Sequence, residues 1–258
     1  MSVPSGGPAT VHVFGVPVAR LTAEAALAEV ERLYEDGNPT TVVYVNAHTL
    51  NLAAADPEYR ALLMSAGLVL NDGAGLAIAG RLKGAPFPEN LNGSDFNPRI
   101  LELAARRGWR VFFLGGRPGV AELAVERLHE RIPGFETAGS RNGFFRSDEA
   151  DDVVAEVREA RPDLVMVALG NPRQELWLSD HLSATGAVIG VGVGAFFDFS
   201  AGVIPRAPKW MNRLGIEWLY RLSREPRRLW RRYIMGNPLF LGRLVAEIVR
   251  ERRSARAG

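Results

Sequence analysis

The chain has 258 residues, 47% of them apolar and 23% charged, with a net charge of +2 at pH 7. That length suits one α/β domain, or a domain of about 200 residues with an appendage, and the composition excludes global disorder. No cysteine is present, which excludes disulfides and thiolate metal sites and fits a reducing compartment.

Thr10–Ala19 reads as a short strand or hairpin. Apolar residues at helical spacing (Ala26, Leu27, Val30, Leu33, Tyr34) predict a helix over Thr22–Glu35, ended by Gly37, Asn38 and Pro39. The β-branched run Thr40–Val45 predicts a buried strand, Asp56–Ala66 a helix, and Leu68–Leu70 a strand that stops at the turn Asn71-Asp72-Gly73. A helix to Leu82 and another over Ser94–Arg107 follow, the second with Ser94 as its expected N-cap. Trp109–Leu114 reads as a strand, Gly115–Gly119 as a loop, and Val120–Arg131 as a helix. Phe135–Gly139 (strand), Asp151–Ala160 (helix), Leu164–Leu169 (strand), Gln174–Leu182 (helix) and Ala187–Val193 (strand) complete the alternation. Fully apolar strands alternating with helices predict a Rossmann-like α/β fold, a mainly parallel sheet covered by helices on both faces. From Pro208 onward the pattern is all helical. We place a boundary between an α/β body, residues 1–204, and an Arg-rich helical appendage, residues 205–258.

The segment Met1–Pro8 lacks a basic and an apolar region and reads as no signal peptide. The longest apolar stretch, Ala184–Phe197, carries four glycines and is too short to span a bilayer. Charge is uneven. The segment Pro205–Gly258 holds fourteen Lys/Arg against four Glu, whereas the remainder is net acidic. A basic tail on an acidic body is suited to phosphate, nucleic acid or an anionic lipid surface. The basic residues are not interleaved with a nucleic-acid motif, so no nucleic-acid partner is expected. A homo-oligomer is compatible with the sequence.

In such folds ligands sit beyond the carboxyl ends of the strands. Asn71-Asp72-Gly73 at one such end reads either as a tight turn or as a carboxylate poised as a general base. Asn46, at the end of another strand, either contacts a sugar or caps the next helix, and the nearby His48 is either structural or catalytic. Gly115 and Gly116 begin a loop resembling a phosphate cradle at a helix N-terminus. A helix starts with Gln174-Glu175 after Gly170-Asn171-Pro172-Arg173, and Gln174 either orients a substrate or belongs to a solvated first turn. Asp198, among Phe196, Phe197 and Phe199, is placed to bind ribose hydroxyls. No Asp-x-Asp motif, no histidine cluster, no nucleophile elbow and no P-loop occur. No metal and no cofactor are expected.

Taken together, these motifs resemble the WecG/TagA/CpsF family, glycosyltransferase family twenty-six, from about Val11 to Phe240. The resemblance rests on Val69-Leu70-Asn71-Asp72-Gly73, Asn92-Gly93-Ser94-Asp95 and Ala168-Leu169-Gly170-Asn171-Pro172-Arg173-Gln174-Glu175. It rests also on Gly192-Val193-Gly194-Ala195-Phe196-Phe197-Asp198-Phe199 and on the block from Arg206-Ala207-Pro208-Lys209-Trp210 to Glu225-Pro226-Arg227-Arg228. It implies an inverting, metal-independent enzyme that moves N-acetylmannosamine or a related sugar from UDP to an undecaprenyl-diphosphate-linked sugar in bacterial surface-polysaccharide synthesis. It puts the base at Asp72, sugar contacts at Asn46 and Gln174, the ribose-binding acid at Asp198 and tail arginines at Arg221, Arg228 and Arg231. Tyr44 stands where the teichoic-acid branch has a threonine, so a bulky phenol replaces a small hydroxyl near the active site, and the donor sugar is either N-acetylmannosamine or else glucose or another hexose.

Direct displacement of UDP needs a base, a counter-charge for the leaving diphosphate, and exclusion of water. Asp72 suits the first, and a basic tail closing over the site supplies the other two. The expected location is cytoplasmic and peripheral on the inner face of the membrane. A nucleotide-binding module without turnover is the rival reading.

Overall fold

A computed structural model describes residues 7–208, 210–211 and 215–257. Lys209 and most of Met1–Pro8 lie outside the described residues. Strands β1 (Thr10–Val13) and β2 (Val16–Ala19) form an antiparallel hairpin. Its two-residue turn, Phe14-Gly15, has positive φ at both positions, as a twist-matched hairpin turn requires.

The other six strands are β3 (Thr40–Val45), β4 (Leu68–Asn71), β5 (Arg110–Gly115), β6 (Glu136–Arg141), β7 (Leu164–Ala168) and β8 (Ile189–Gly192). They form one parallel sheet in the order β4-β3-β8-β7-β5-β6. Alternate side chains face opposite sides. Val42, Tyr44, Leu70, Phe113, Met166 and Val191 join one core under α1 (Ala23–Glu35), α5 (Gly93–Arg107), α6 (Val120–Arg131) and α9 (Phe196–Ser200). The opposite face is split. Val43, Val45 and Val69 pack beneath the hairpin, α2 (Ala47–Ala55), α3 (Pro57–Ser65) and α4 (Ala74–Leu82). Phe112, Leu114, Val165 and Val167 pack beneath α7 (Ala150–Glu159) and α8 (Arg173–Thr185).

The Rossmann-like α/β expectation holds, with local differences. The N-cap of α5 is Asn92, whose side chain accepts from the Asp95 N–H, not Ser94. Asparagine caps as well as serine, and starting one residue earlier brings Gly93 against the Tyr44 ring. The α2 helix has little amphipathic period to read, because Leu50, Asn51 and Ala53 are all buried between the sheet and the C-terminal helix.

The C-terminal segment forms α10 (Glu217–Arg224), α11 (Pro226–Trp230), a π-helical turn (Arg231–Met235) and α12 (Gly236–Ala257). Proline at the first position of α11 separates it from α10. Phe240 and Leu244 of α12 are buried in the core beneath the hairpin, beside Val43 and Leu50. Each such burial contributes about 1.5–3 kcal/mol. The compositional boundary at residue 204 is therefore not a break in packing.

Candidate active site

The β3 and β8 strands are neighbours, yet the helix after β3 packs on one sheet face and the helix after β8 on the other. A crevice opens at such a divergence. Here it is a cavity of about 410 Å³. Tyr44, Asn46, Asp72, Asn171, Gln174 and Gly194 line it from the carboxyl ends of β3, β4, β7 and β8, and the C-terminal segment supplies the opposing wall with Glu217, Trp218, Arg221, Arg232, Tyr233 and Phe240.

Asn46 realises the capping alternative. Its Oδ1 accepts from the N–H groups of His48 at 3.1 Å and Thr49 at 3.2 Å. Its Nδ2 then donates to Asp72 Oδ2 at 3.3 Å. The Asp72 N–H donates to the Val45 carbonyl at 2.9 Å, extending the β3–β4 ladder by a residue. Gly73 takes φ 86° at the N-cap of α4, so the turn is real and also leaves the Asp72 carboxylate at the cavity wall. Tyr44 is buried, and its hydroxyl donates to Asn97 Oδ1 at 2.6 Å. The phenol is thus engaged with a buried amide while the residue still lines the cavity.

Charge in the cavity is mixed. Burial first, and then the Arg232 charge, pull the His48 pKa down to about 4, so its imidazole is neutral at pH 7. Burial and the Asp72 charge raise that of Glu217. The Nε atoms of Arg221 and Arg232 are both shut off from solvent and have no hydrogen-bond partner among the described residues. Arg221 lies 5.4 Å over the Phe199 ring and Arg232 5.6 Å over the Tyr233 ring. Two guanidinium groups at the cavity wall suit an anionic or oxygen-rich ligand.

Gln174 and Glu175 are 2% and 1% exposed, which overturns the first-turn solvation reading. Gln174 Oε1 accepts from the Gly194 N–H at 3.0 Å. The Glu175 carboxylate accepts from Gln174 Nε2 at 2.7 Å, Asn171 Nδ2 at 2.6 Å and Tyr59 Oη at 3.1 Å. Burial pushes its pKa up to about 7 against the pull of those hydrogen bonds.

The remaining expected site residues lie outside the cavity lining. Asp198 is on α9, where burial raises its pKa and Arg117, Arg228 and Arg221 counter the rise. Arg228 pairs with Glu225 at 2.8 Å, and Arg231 lies over the Trp230 ring. The Gly116 N–H donates to the Ala168 carbonyl, and a Cβ at Gly115 would meet Ala168 backbone at 2.5 Å. Gly115 thus allows close strand packing, whereas a Cβ at Gly116 would meet the Val120 side chain of α6 at 3.1 Å. Among the described residues no group of three or more His, Cys, Asp or Glu is placed to hold a metal ion.

Sequence reasoning did not single out Arg232, Glu217 or Tyr233 as site residues, nor Glu175 as a buried carboxylate. Arg232 was hidden in an arginine run. The π-helical turn decides which of those arginines faces the cavity, and π-turns cluster at functional sites.

The Glycosyl transferase WecG/TagA/CpsF family model matches residues 11–254. The chain is 32% identical over 231 residues to an N-acetylglucosaminyldiphosphoundecaprenol N-acetyl-beta-D-mannosaminyltransferase of Bacillus spizizenii, covering 89% of this chain and 87% of that one. It is 29% identical over 226 residues to an enzyme of the same name from Bacillus subtilis, covering 87% and 86%. With the match running through the strand ends and the C-terminal helices alike, the chain belongs to the WecG/TagA/CpsF family of glycosyl transferases.

Proposed function

We propose that this enzyme transfers N-acetylmannosamine from its UDP conjugate to undecaprenyl-diphosphate-linked N-acetylglucosamine, with inversion and without a metal ion. One observation carries the reading. Asp72 shares a cavity with the side chains of Arg221 and Arg232.

In this reading Asp72, oriented by Asn46, takes the proton of the acceptor hydroxyl as that oxygen bonds to the anomeric carbon. The bond from the anomeric carbon to the UDP oxygen breaks, and UDP departs with the electron pair. Arg221 and Arg232 meet the charge that develops on its diphosphate. Asp198 binds the ribose. Arg228 and Arg231, on the outer side, meet the acceptor diphosphate or the lipid headgroups. The segment 205–258 closes the cavity and limits hydrolysis of the donor.

The acceptor is lipid-linked, so the enzyme works as a peripheral protein on the inner face of the membrane. Among the described residues no helix is long and apolar enough to cross a bilayer. Trp230, Ile234, Leu241, Val245 and Val249 are exposed at helical spacing along α11, the π-turn and α12. Leu241 and the exposed Ile78 also line the cavity. An apolar stripe flanked by arginines and continuous with the cavity is suited to an anionic leaflet and to the prenyl chain of the acceptor.

The test offers the purified protein a panel of UDP-sugars with a lipid-diphosphate N-acetylglucosamine acceptor and identifies products by mass. One added N-acetylhexosamine, from UDP-N-acetylmannosamine alone, is the expected result. UDP-sugar binding with no transfer from any donor would overturn the reading in favour of a non-catalytic module.

A further inference from the structure

Strand β8 reads Ile189-Gly190-Val191-Gly192, with its two β-branched residues in one core and its two glycines toward α8. A Cβ at Gly190 would stand 2.5 Å from Leu178, and one at Gly192 would stand 2.9 Å from Gln174 Nε2. The glycines let the first turn of α8 sink onto the sheet, which carries Glu175 into the interior beside the cavity. A carboxylate at that depth is costly to hold unless its oxygens are hydrogen-bonded. Three side chains supply donors from separate places: Tyr59 on α3, Asn171 in the loop after β7, and Gln174 on α8.

We propose that Glu175 is a positioning residue that fixes Asn171 and Gln174 as hydrogen-bond donors to oxygens of the bound sugar nucleotide. The inference rests on the reading of the cavity as a sugar-nucleotide site. Each amide nitrogen spends one of its two hydrogens on Glu175 and keeps the other, and both residues line the cavity. Gln174 is held against flipping, because its Oε1 already accepts from the Gly194 N–H. The target oxygens are sugar hydroxyls, an acetamido carbonyl or phosphate, which all accept hydrogen bonds.

An ionised carboxylate accepts all three donors, Asn171 and Gln174 on Oε1 and Tyr59 on Oε2, whereas a proton on Oε1 displaces an amide and one on Oε2 reverses the Tyr59 contact. The arrangement is therefore complete only in the ionised state, and burial sets the change near pH 7. Among the described residues Tyr59 is the titratable group hydrogen-bonded to Glu175; Asn171 and Gln174 are neutral, and β8 presents glycine.

The experiment measures kcat and KM for the UDP-sugar between pH 5.5 and 8.5 in the wild type, Glu175→Gln and Tyr59→Phe. Tyr59 does not line the cavity. In the wild type kcat/KM rises through an apparent pKa of about 7. Glu175→Gln cannot accept three donors. Its one carbonyl oxygen can still take both amides, so its rate stays within roughly tenfold of the wild-type plateau, and it loses the limb because it does not titrate. Tyr59→Phe removes one stabilising donor and moves the limb to higher pH with an unchanged plateau. A limb that persists in Glu175→Gln, or one that does not move in Tyr59→Phe, overturns the proposal, and the second variant decides the matter should the first not fold. A wild type without transferase activity at any pH refutes the sugar-nucleotide reading instead, and the inference with it.

Discussion

Replacing Arg232 by methionine should make the enzyme slower and the free protein more stable, an opposition that separates a ligand-binding charge from a structural one. The Arg232 Nε is shut off from solvent with no partner among the described residues, and burial together with the Arg221 and Arg228 charges lowers its pKa. Leaving one such donor unsatisfied costs about 1–3 kcal/mol, more for a charged group. Methionine forfeits the contact with the Tyr233 ring, about 0.5–1 kcal/mol, and retains most of the apolar stem packing. The balance is a gain of about 1 kcal/mol, or roughly 2–4 °C in the melting temperature for a chain of this size. Turnover moves the other way, because removing a preorganised charge from a developing oxyanion typically costs about 10²–10³ in kcat. The assay is thermal melting with and without saturating UDP, alongside transfer kinetics. UDP should raise the melting temperature of the wild type more than that of the variant, since bound ligand stabilises in proportion to its affinity. A variant that melts lower yet turns over at the wild-type rate would refute the reasoning and return Arg232 to a structural role.

Four further outcomes follow from the same geometry. Asp72→Asn keeps the contact with Asn46 but cannot take a proton, so kcat should fall about 10²–10⁴-fold with UDP affinity unchanged by calorimetry; near-normal turnover excludes Asp72 as the base. Activity should survive excess EDTA, because the counter-charges assigned to UDP are arginines; loss on chelation and recovery with Mg²⁺ or Mn²⁺ would refute that assignment. A chain ending at residue 204 loses the burial of Phe240 and Leu244, so it should melt well below the full chain or aggregate; an unchanged melting temperature would show the body to be independent. The Glu175 carboxyl is raised from 4.5 to about 7, so between those pH values the folded protein holds a proton that the unfolded chain releases, and stability should fall as pH rises through the window. Its share is at most about 3 kcal/mol, and the Glu175→Gln variant should melt with a flatter pH dependence there.

Much of the α/β body was legible because its signals are local. Parallel strands such as Thr40–Val45 and Leu164–Ala168 are buried on both faces and so read as unbroken apolar runs. Cavity residues Asn46 and Asp72 followed from the same pattern, since each stands where an apolar run stops, and Gln174 from the Gly/Pro loop that leads from β7 into α8. The C-terminal half of the site was not legible in the same way. Arg221, Arg224, Arg228, Arg231 and Arg232 stand at near-helical spacing and would share one face of a straight helix, and only the break at Pro226 and the π-turn distinguish them. Those two irregularities leave Arg221 and Arg232 in the cavity wall while Arg228 pairs with Glu225 and Arg231 covers Trp230. Glu175 escaped notice for the opposite reason. An acidic residue in a helix's first turn usually faces water and favours the dipole there, and nothing within α8 says otherwise. The deciding residues lie elsewhere, at Gly190 and Gly192 in the neighbouring strand, whose missing side chains let the helix approach closely enough to bury a carboxylate. A charged residue's burial is thus recorded in the sequence by the small residues opposite it, and reading it requires knowing which strand and helix meet.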